Sequence, residues 1–145
     1  MDQRPADEIP DRATRSISQV LAEARRGVRR VDAEALPALL AEGAWVLDLR
    51  TPWTRDEEGH IPGAVVVEHT VMLWRMDPLS PSRIPDGPGH DDLVITVCNE
   101  GFSSSLAARD LRELGFSRAT DLAGGFRAWA AAGLPVEPRP TRYIT

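Results

Sequence analysis

The stretch LVITVCNEGFSS, residues 93–104, indicates the fold more clearly than any other part of the chain. It opens with a run of apolar and β-branched residues, which is typical of a strand buried on both faces of a sheet. A cysteine and a glycine-containing loop follow this run. A helical pattern then begins at Ser103, where Leu106, Leu111 and Leu114 share one face. A buried strand that leads through a short loop into a helix is typical of a parallel α/β sheet.

The same alternation of strand and helix patterns continues on both sides of this stretch. We predict strands at residues 28–31, 44–49, 64–67, 93–97 and 119–122. We predict helices at residues 32–43, 71–75, 103–114 and 124–132, and loops at residues 51–59 and 77–92. The chain is therefore predicted to be an α/β protein with an open, parallel, five-stranded sheet and helices on both faces.

The length of 145 residues fits one domain, which we predict to span residues 28–137. Residues 1–15 are rich in charge and contain two prolines, so they are predicted to form a flexible N-terminal arm. An amphipathic N-terminal helix is predicted for residues 16–27. The remaining residues, 138–145, are predicted to be a C-terminal tail.

The predicted N-terminal helix has a serine cap at Ser16 and a terminating glycine at Gly27. Its end is strongly basic, with arginines at positions 25, 26, 29 and 30. We interpret these arginines as a solvated helix end whose positive charges suit the negative end of the helix dipole. A patch that binds anions or nucleic acid is the alternative interpretation.

The composition argues against several classes of function. The net charge of −5 and the pI of about 5.2 disfavour a nucleic-acid-binding surface. No apolar run reaches the roughly 20 residues that a membrane span needs, and the polar N-terminus does not resemble a secretory signal. One cysteine and three histidines offer neither an internal disulfide nor a Cys/His zinc site, and the absence of lysine excludes Schiff-base chemistry. We therefore expect a cytoplasmic protein that needs no metal and no cofactor and that binds neither nucleic acid nor membrane.

Cys98 is the residue in this sequence best placed for covalent chemistry. It lies at the carboxyl end of a predicted strand, which is the edge where open α/β sheets bind ligands. The loop after it leads into a helix, so backbone N–H groups and the helix dipole favour a thiolate with a lowered pKa. Gly101 permits a tight loop, while Ser103 and Ser104 supply hydroxyl donors and are expected to cap the helix. The alternative interpretation is a small, inert, buried cysteine.

Two polar residues near the same edge are expected to support this site. Asp48 ends a predicted strand beside Arg50, with which it is expected to form an ion pair. His60 precedes the turn at residues 61–63 and is expected to hydrogen-bond that turn rather than act as a base.

Four segments carry a resemblance to a known family. They are VLDLR at residues 46–50, GHIPGA at 59–64, the six-residue loop CNEGFS at 98–103, and LAGGFRAW at 122–129, which is followed by AGLPV at 132–136. In these segments the chain resembles the single-domain rhodanese family, roughly over residues 28 to 137. The resemblance implies a rhodanese-like fold, which the N-terminal helix precedes.

The resemblance also implies a sulfurtransferase, in which the Cys98 thiolate attacks a sulfane sulfur and becomes a persulfide. The donor would be thiosulfate or a persulfide, and the acceptor would be cyanide or a thiol, with a protein thiol as a further acceptor. Neither a metal nor a general base is required. The substrate would be bound by the loop residues Asn99, Glu100, Gly101, Phe102, Ser103 and Ser104.

Two loop residues depart from the pattern of many small rhodaneses. Ser103 stands where many members carry arginine, although others carry threonine. Glu100 brings a negative charge, which is expected to repel a dianionic donor. We predict that arginines outside the loop bind the donor and compensate for this charge, namely Arg50, Arg55 and Arg75.

Two further functions are alternatives at this point. A non-catalytic rhodanese-like module would bind a protein partner or sense sulfur, but such modules typically lack the cysteine that this chain has at position 98. A phosphatase of the same fold would have a loop one residue longer that ends in an arginine. The loop at residues 98–103 has neither of these phosphatase features.

Overall fold

The computed structural model describes residues 14–145 and contains one sheet of five strands. The strands are β1 (Trp45–Asp48), β2 (Val65–Val67), β3 (Val94–Val97), β4 (Thr120–Asp121) and β5 (Arg142–Ile144). They lie in the order β4-β3-β1-β2-β5, and all neighbouring pairs are parallel. The predicted α/β class with an open, parallel, five-stranded sheet is therefore confirmed.

Helices cover both faces of this sheet. Within residues 14–145 they are α1 (Ile17–Arg25), α2 (Leu36–Ala41), α3 (Pro52–Glu58), α4 (Met72–Met76), α5 (Ser103–Glu113) and α6 (Gly125–Ala131), with a 3₁₀ turn (Ala33–Ala35) before α2. None of these helices is long and apolar enough to cross a membrane. In β1, Val46 belongs to an apolar cluster with residues of α2 and α6, whereas Leu47 belongs to a cluster with residues of α4 and α5. Neighbouring residues of a strand point to opposite faces, so each face of the sheet has its own core.

The N-terminal helix α1 begins as predicted. The Ser16 hydroxyl accepts a hydrogen bond from the Gln19 N–H, and the Gln19 side chain accepts one from the Ser16 N–H. This reciprocal pair is a capping box, which fixes the first turn of the helix. The predicted flexible arm, residues 1–15, lies almost entirely outside the described residues.

Two predictions about the segments between strands are wrong. Residues 28–31 do not form a strand, since only Val31 makes a single parallel bridge, to Leu122 after β4. A four-residue pattern is too short to distinguish a strand from an extended connection. The predicted loop at residues 51–59 contains α3, which begins after a cap from Thr51. This helix is polar, and it lacks the apolar stripe by which sequence periodicity detects a helix.

The structure of the C-terminal residues also differs from the prediction. Residues 138–145 were expected to be a tail, but they contain β5, which pairs in parallel with β2 at one edge of the sheet. In this pairing Val67 lies opposite Ile144, whose side chain is buried. The fifth strand of the sheet is therefore this segment, and not the predicted strand at residues 28–31.

The topology brings three strand ends together. Because β1, β3 and β4 are parallel neighbours, their carboxyl ends lie at the same edge of the sheet. The residues that follow Asp48, Val97 and Asp121 therefore approach one another. Cys98, the residue after β3, lies in the middle of this group.

Candidate active site

The Cys98 sulfur lies inside a ring of hydrogen-bond donors. Its Sγ accepts hydrogen bonds from the backbone N–H of Gly101, at 3.2 Å, and from that of Ser104, at 3.4 Å. The Ser104 hydroxyl lies 3.3 Å from the same sulfur. The residue is only 8% exposed, so few water molecules compete for these bonds. The loop therefore surrounds the sulfur with groups that stabilise negative charge.

The electrostatic environment of Cys98 favours the thiolate. Burial is the largest influence and by itself would raise the pKa of the thiol. Hydrogen bonds from the hydroxyl and N–H of Ser104, from the Ser103 hydroxyl and from the Gly101 N–H together outweigh burial and lower the pKa. The predicted direction of the shift is therefore found, with hydrogen bonds as its cause.

The first turn of α6 explains why the loop presents its N–H groups to the sulfur. The Phe126 N–H donates to the Cys98 carbonyl at 2.9 Å, and the Arg127 N–H donates to the Asn99 carbonyl at 3.1 Å. Both carbonyl oxygens are thereby turned away from Sγ. The conformation of the loop is thus fixed by hydrogen bonds to a helix more than twenty residues further along the chain.

This close approach depends on glycine at two positions. A Cβ atom at Gly125 would lie 2.6 Å from the Cys98 carbonyl oxygen, and one at Gly101 would lie 2.7 Å from the Gly124 nitrogen. Both Gly125 and Gly101 also have positive φ angles, 64° and 86°. The sequence predicts that Gly124 and Gly125 let α6 start close to the sheet; in the structure they bring it against the loop at residues 98–103.

A buried carboxylate lies behind Ser104. Asp121 Oδ2 lies 2.7 Å from the Ser104 hydroxyl and 2.8 Å from the Ser105 hydroxyl, and Arg30 holds both carboxylate oxygens. Burial would raise the pKa of Asp121, but the bonds from Arg30 and the two serines lower it. The Ser104 hydroxyl has one proton, so it donates either to Asp121 or to a Cys98 thiolate.

The remaining loop residues differ in their exposure. Phe102 is 57% exposed and is the N-cap of α5, where its side chain makes no capping bond. The prediction that Ser103 and Ser104 cap this helix is wrong, because both belong to its first turn and the Cys98 sulfur accepts the Ser104 N–H. Asn99 is half-buried, and its side-chain oxygen has no partner among residues 14–145.

Glu100 is paired with an arginine that the sequence did not indicate. Its carboxylate forms an ion pair with Arg127 on α6, which also lies 3.4 Å from the Glu58 carboxylate. The side chains of Glu100 and Arg127 are 51% and 58% exposed, so solvent weakens this pair. A free arginine cannot be told from a paired one by sequence alone, and nothing in the spacing of these residues indicates the contact.

Arg50 is engaged by the protein itself, and its role in donor binding stays a prediction. Arg50 is only 4% exposed, and its guanidinium donates to the Asp48 carboxylate and to the Gly59 carbonyl. It also lies 3.9 Å from the centre of the Phe126 ring. The expected Asp48–Arg50 ion pair is therefore present, but it is buried and connects the end of β1 to the turn that begins at Gly59.

The other two predicted donor-binding arginines are also engaged by the protein. Arg55 is 6% exposed and donates to the Arg50 carbonyl at 3.1 Å and to Glu68 at 3.2 Å. Its donor contact stays a prediction. Arg75 is half-buried and donates to the Ser82 carbonyl at 2.6 Å. A role of Arg75 in donor binding stays a prediction.

His60 has a supporting position. Its backbone N–H and carbonyl form a pair of hydrogen bonds with Glu137, at 2.7 and 2.9 Å. Burial is the main reason why the pKa of His60 is lowered, so the imidazole is neutral near pH 7. Its Nδ1 atom has no partner in the part of the chain that the structure describes. Residues 14–145 contain no group of three or more His, Cys, Asp and Glu side chains arranged to hold a metal ion.

Two arginines from the end of α1 and the segment after it reach the loop. Arg25 and Arg30 both donate to the carbonyl oxygen of Gly101, at 2.7 and 2.8 Å. The interpretation of this basic cluster as a solvated helix end is therefore wrong for these two residues. Contacts that span more than seventy residues leave no local pattern, so sequence reasoning had no signal for them.

Comparison with known proteins identifies the family. The family model of the rhodanese-like domain matches residues 32–132. The chain belongs to the rhodanese family. The match begins after α1, so the rhodanese domain of this protein uses two arginines that lie outside the matched residues.

Individual relatives agree with this assignment. The chain is 32% identical over 120 residues to a chloroplastic thiosulfate sulfurtransferase 16 from Arabidopsis thaliana, with 81% of this rhodanese and 99% of the relative covered. It is 34% identical over 111 residues to a sulfurtransferase from Allochromatium vinosum, with 75% and 94% covered. A solved structure from Rhodopseudomonas palustris, described as a possible tyrosine phosphatase of unknown function, superposes with a TM-score of 0.77 at 30% identity and 89% and 99% coverage.

Proposed function

We propose that this rhodanese is a sulfurtransferase that carries a sulfane sulfur on Cys98. The observation that carries the proposal is the ring of two backbone N–H groups and a hydroxyl around a cysteine sulfur with a lowered pKa. The sulfurtransferase names of the Arabidopsis and Allochromatium relatives support the same activity.

In the first step, the Cys98 thiolate attacks the outer sulfur of thiosulfate. A bond forms between the two sulfur atoms, the sulfur–sulfur bond of thiosulfate breaks, and sulfite leaves with the bonding electron pair. The product is a Cys98 persulfide that keeps one negative charge. A persulfide donor reacts in the same way and leaves as a thiolate.

In the second step, an acceptor removes the outer sulfur of the persulfide. Cyanide attacks it to give thiocyanate, or a thiolate attacks it to give a new persulfide, and the Cys98 thiolate is released. No proton has to move at sulfur in either step. The N–H groups of Gly101 and Ser104 stabilise the anionic sulfur throughout, and the Ser104 hydroxyl adds to this when its proton is directed at the sulfur rather than at Asp121.

Thiocyanate formation from thiosulfate and cyanide tests this proposal. We expect turnover by the purified protein and its complete loss in Cys98→Ser, which removes the nucleophile but keeps a small polar side chain. Ser117→Ala, a change at an exposed position away from the loop, is expected to retain full turnover. Turnover by Cys98→Ser at the wild-type rate would refute the proposal.

Phosphate-ester hydrolysis is a second candidate, because the similar Rhodopseudomonas structure is described as a possible tyrosine phosphatase. The loop ends in Ser103 rather than in an arginine that would hold the phosphate. We therefore expect no hydrolysis of p-nitrophenyl phosphate under conditions in which sulfur transfer is measured. Hydrolysis that disappears in Cys98→Ser would favour the phosphatase instead.

A further inference from the structure

The carbonyl oxygen of Gly101 is bound by two guanidinium groups at once. Arg25 comes from the last turn of α1, and Arg30 comes from the segment after that helix. Gly101 is the same residue whose N–H donates to the Cys98 sulfur. The loop is therefore fixed at Gly101 on two sides, by the sulfur and by the two arginines.

Each arginine has a second contact behind the loop. Arg25 Nε donates to the Ser105 hydroxyl at 2.9 Å, and Arg30 forms two hydrogen bonds with the Asp121 carboxylate, at 2.9 and 3.0 Å. Ser105 and Asp121 are hydrogen-bonded to each other, and Asp121 is bonded to Ser104. The two arginines thus connect the glycine of the loop to the group that orients the Ser104 hydroxyl.

The position of the Gly101 carbonyl also orients its peptide group. In a planar trans peptide the C=O and N–H bonds point in opposite directions within the plane, so the N–H of Phe102 points away from the Gly101 oxygen. Arginines that hold this oxygen toward α1 therefore hold the Phe102 N–H away from α1. Glycine is the residue most free to rotate, and without the arginines its carbonyl would lose the bonds that define its direction.

We propose that Arg25 and Arg30 are positioning residues for Cys98 and that α1 is for this reason an integral part of the active site. They keep the Gly101 N–H directed at the sulfur, and their charges favour the thiolate. An effect of these arginines on turnover rests on the proposed sulfur transfer. Their effect on the pKa of the Cys98 thiol does not depend on that proposal.

The charges around Cys98 are consistent with this assignment. Burial is the main cause that lowers the pKa of Arg25, and Arg30 lowers it further, whereas Asp121 and a Cys98 thiolate raise it. The Arg25 guanidinium and the thiolate therefore stabilise each other. The charged groups near Cys98 are Arg25 on α1, Arg30 after it, the Asp48–Arg50 pair after β1, Glu100 in the loop, Asp121 on β4 and Arg127 on α6.

The pH dependence of Cys98 alkylation tests the proposal. The rate of reaction with iodoacetamide follows the thiolate fraction, and its midpoint gives the apparent pKa of the only cysteine in the chain. We expect Arg25→Met and Arg30→Met to move this midpoint to higher pH, with roughly three- to ten-fold less thiolate at pH values below it. Both variants are expected to reach the wild-type rate at alkaline pH.

Arg26→Met is the matched control. Arg26 is the next residue after Arg25, its side chain is exposed, and it donates no side-chain hydrogen bond to any residue that the structure describes. Its alkylation midpoint is expected to stay at the wild-type value. Arg25→Lys keeps the charge but has a single donor group. Its alkylation midpoint is expected to lie between those of the wild type and Arg25→Met.

A purely structural role would give a different result. The two arginine variants would then lose stability against urea while their alkylation midpoints stayed with that of Arg26→Met, and this result would overturn the proposal. Because Arg30 also binds Asp121, the Arg25 variants decide the outcome if Arg30→Met does not fold. A shifted midpoint in a protein that transfers no sulfur would refute the proposed function and leave the positioning role intact.

Discussion

Cys98 Sγ acts as the capping group of α5. The N-cap residue of this helix, Phe102, makes no side-chain capping bond, and the sulfur accepts the Ser104 N–H in the first turn. A thiolate in this position binds the positive end of the helix dipole. Together with the hydrogen bonds from the Ser104 and Ser103 hydroxyls and the Gly101 N–H, this contact lowers the pKa of a cysteine that is almost completely buried.

Glu100→Gln tests whether the negative charge of the loop weakens the binding of an anionic donor. Removing the carboxylate leaves Arg127 without its partner in the loop, so the KM for thiosulfate is expected to fall. The fall should be roughly two- to five-fold at low ionic strength, because the Glu100–Arg127 pair is exposed and contributes little. It should shrink as salt is added, since screening weakens exposed charges.

Arg127→Gln is the opposite change and serves as the control. It leaves the Glu100 charge uncompensated, so the KM for thiosulfate is expected to rise by a similar factor. Steady-state kinetics at low and high salt measure both variants. An unchanged or higher KM in Glu100→Gln would mean that the loop charge does not disfavour thiosulfate.

At the scale of single residues, the sequence indicated Cys98 as the candidate nucleophile but not the groups that hold its loop in place. Cys98 could be predicted because a strand, a glycine loop and a helix follow one another locally. Arg25 and Asp121 could not be predicted, since they reach the loop through the folded chain. The sequence also does not show that the guanidinium groups of Arg50 and Arg55 are buried.

At the scale of elements, the approach of α6 to the loop at residues 98–103 decides the shape of the candidate site. Its first N–H groups bind the Cys98 and Asn99 carbonyls, and Gly125 leaves the space that this contact needs. The two-glycine segment was visible in the sequence. Its contact with the loop was not, because α6 also packs against the sheet, which is the more general reason for such glycines.

Gly125→Ala is expected to damage the site more than the fold. The new Cβ would lie 2.6 Å from the Cys98 carbonyl oxygen, so the loop must move. Displacement of about 1 Å at a reacting group costs on the order of a hundred-fold in rate, and we expect the rate of sulfur transfer to fall by roughly ten- to a hundred-fold. The rate of thiocyanate formation measures it.

Gly133→Ala provides the matched control at the other end of α6. Gly133 has a similar positive φ, 73°, but a Cβ there would have no atom within 4 Å. Both substitutions therefore carry the same backbone strain, about 1 kcal/mol, and only the first one moves the loop. Equal rates in the two variants would show that α6 does not position the loop.

Among the larger elements, the strongly periodic ones were predicted correctly. The helix after Ser103 and the strand before Cys98 have clear apolar patterns and were found within one or two residues of their predicted bounds. The missed elements, α3 and β5, are a polar helix and a three-residue edge strand. Neither has a pattern of its own, because tertiary contacts determine both.

At the scale of the whole molecule, the last residues of the described chain complete the sheet. β5 pairs with β2, and the buried Ile144 belongs to the same apolar cluster as residues of α4 and α5. The Arg142–Asp86 ion pair lies on the outside of this edge. Stability of the sheet therefore depends on a segment outside the residues that match the family.

Ile144→Ala is expected to destabilise the protein without altering the chemistry. Removing a buried isoleucine side chain typically costs about 2 to 5 kcal/mol of unfolding free energy. Thr145→Ala, at the exposed neighbouring position, is expected to change it by less than about 0.5 kcal/mol. Urea denaturation measures both, and equal midpoints would contradict the role of β5 in the core.

The intact mass of the protein after exposure to thiosulfate tests most directly whether Cys98 carries a sulfane sulfur. We expect the wild-type chain to gain the mass of one sulfur atom, to lose it again on addition of cyanide, and to show no gain in Cys98→Ser. A persulfide donor should give the same product. If neither donor adds sulfur to the folded wild-type protein, or if Cys98→Ser gains the same mass, Cys98 is not the sulfur carrier.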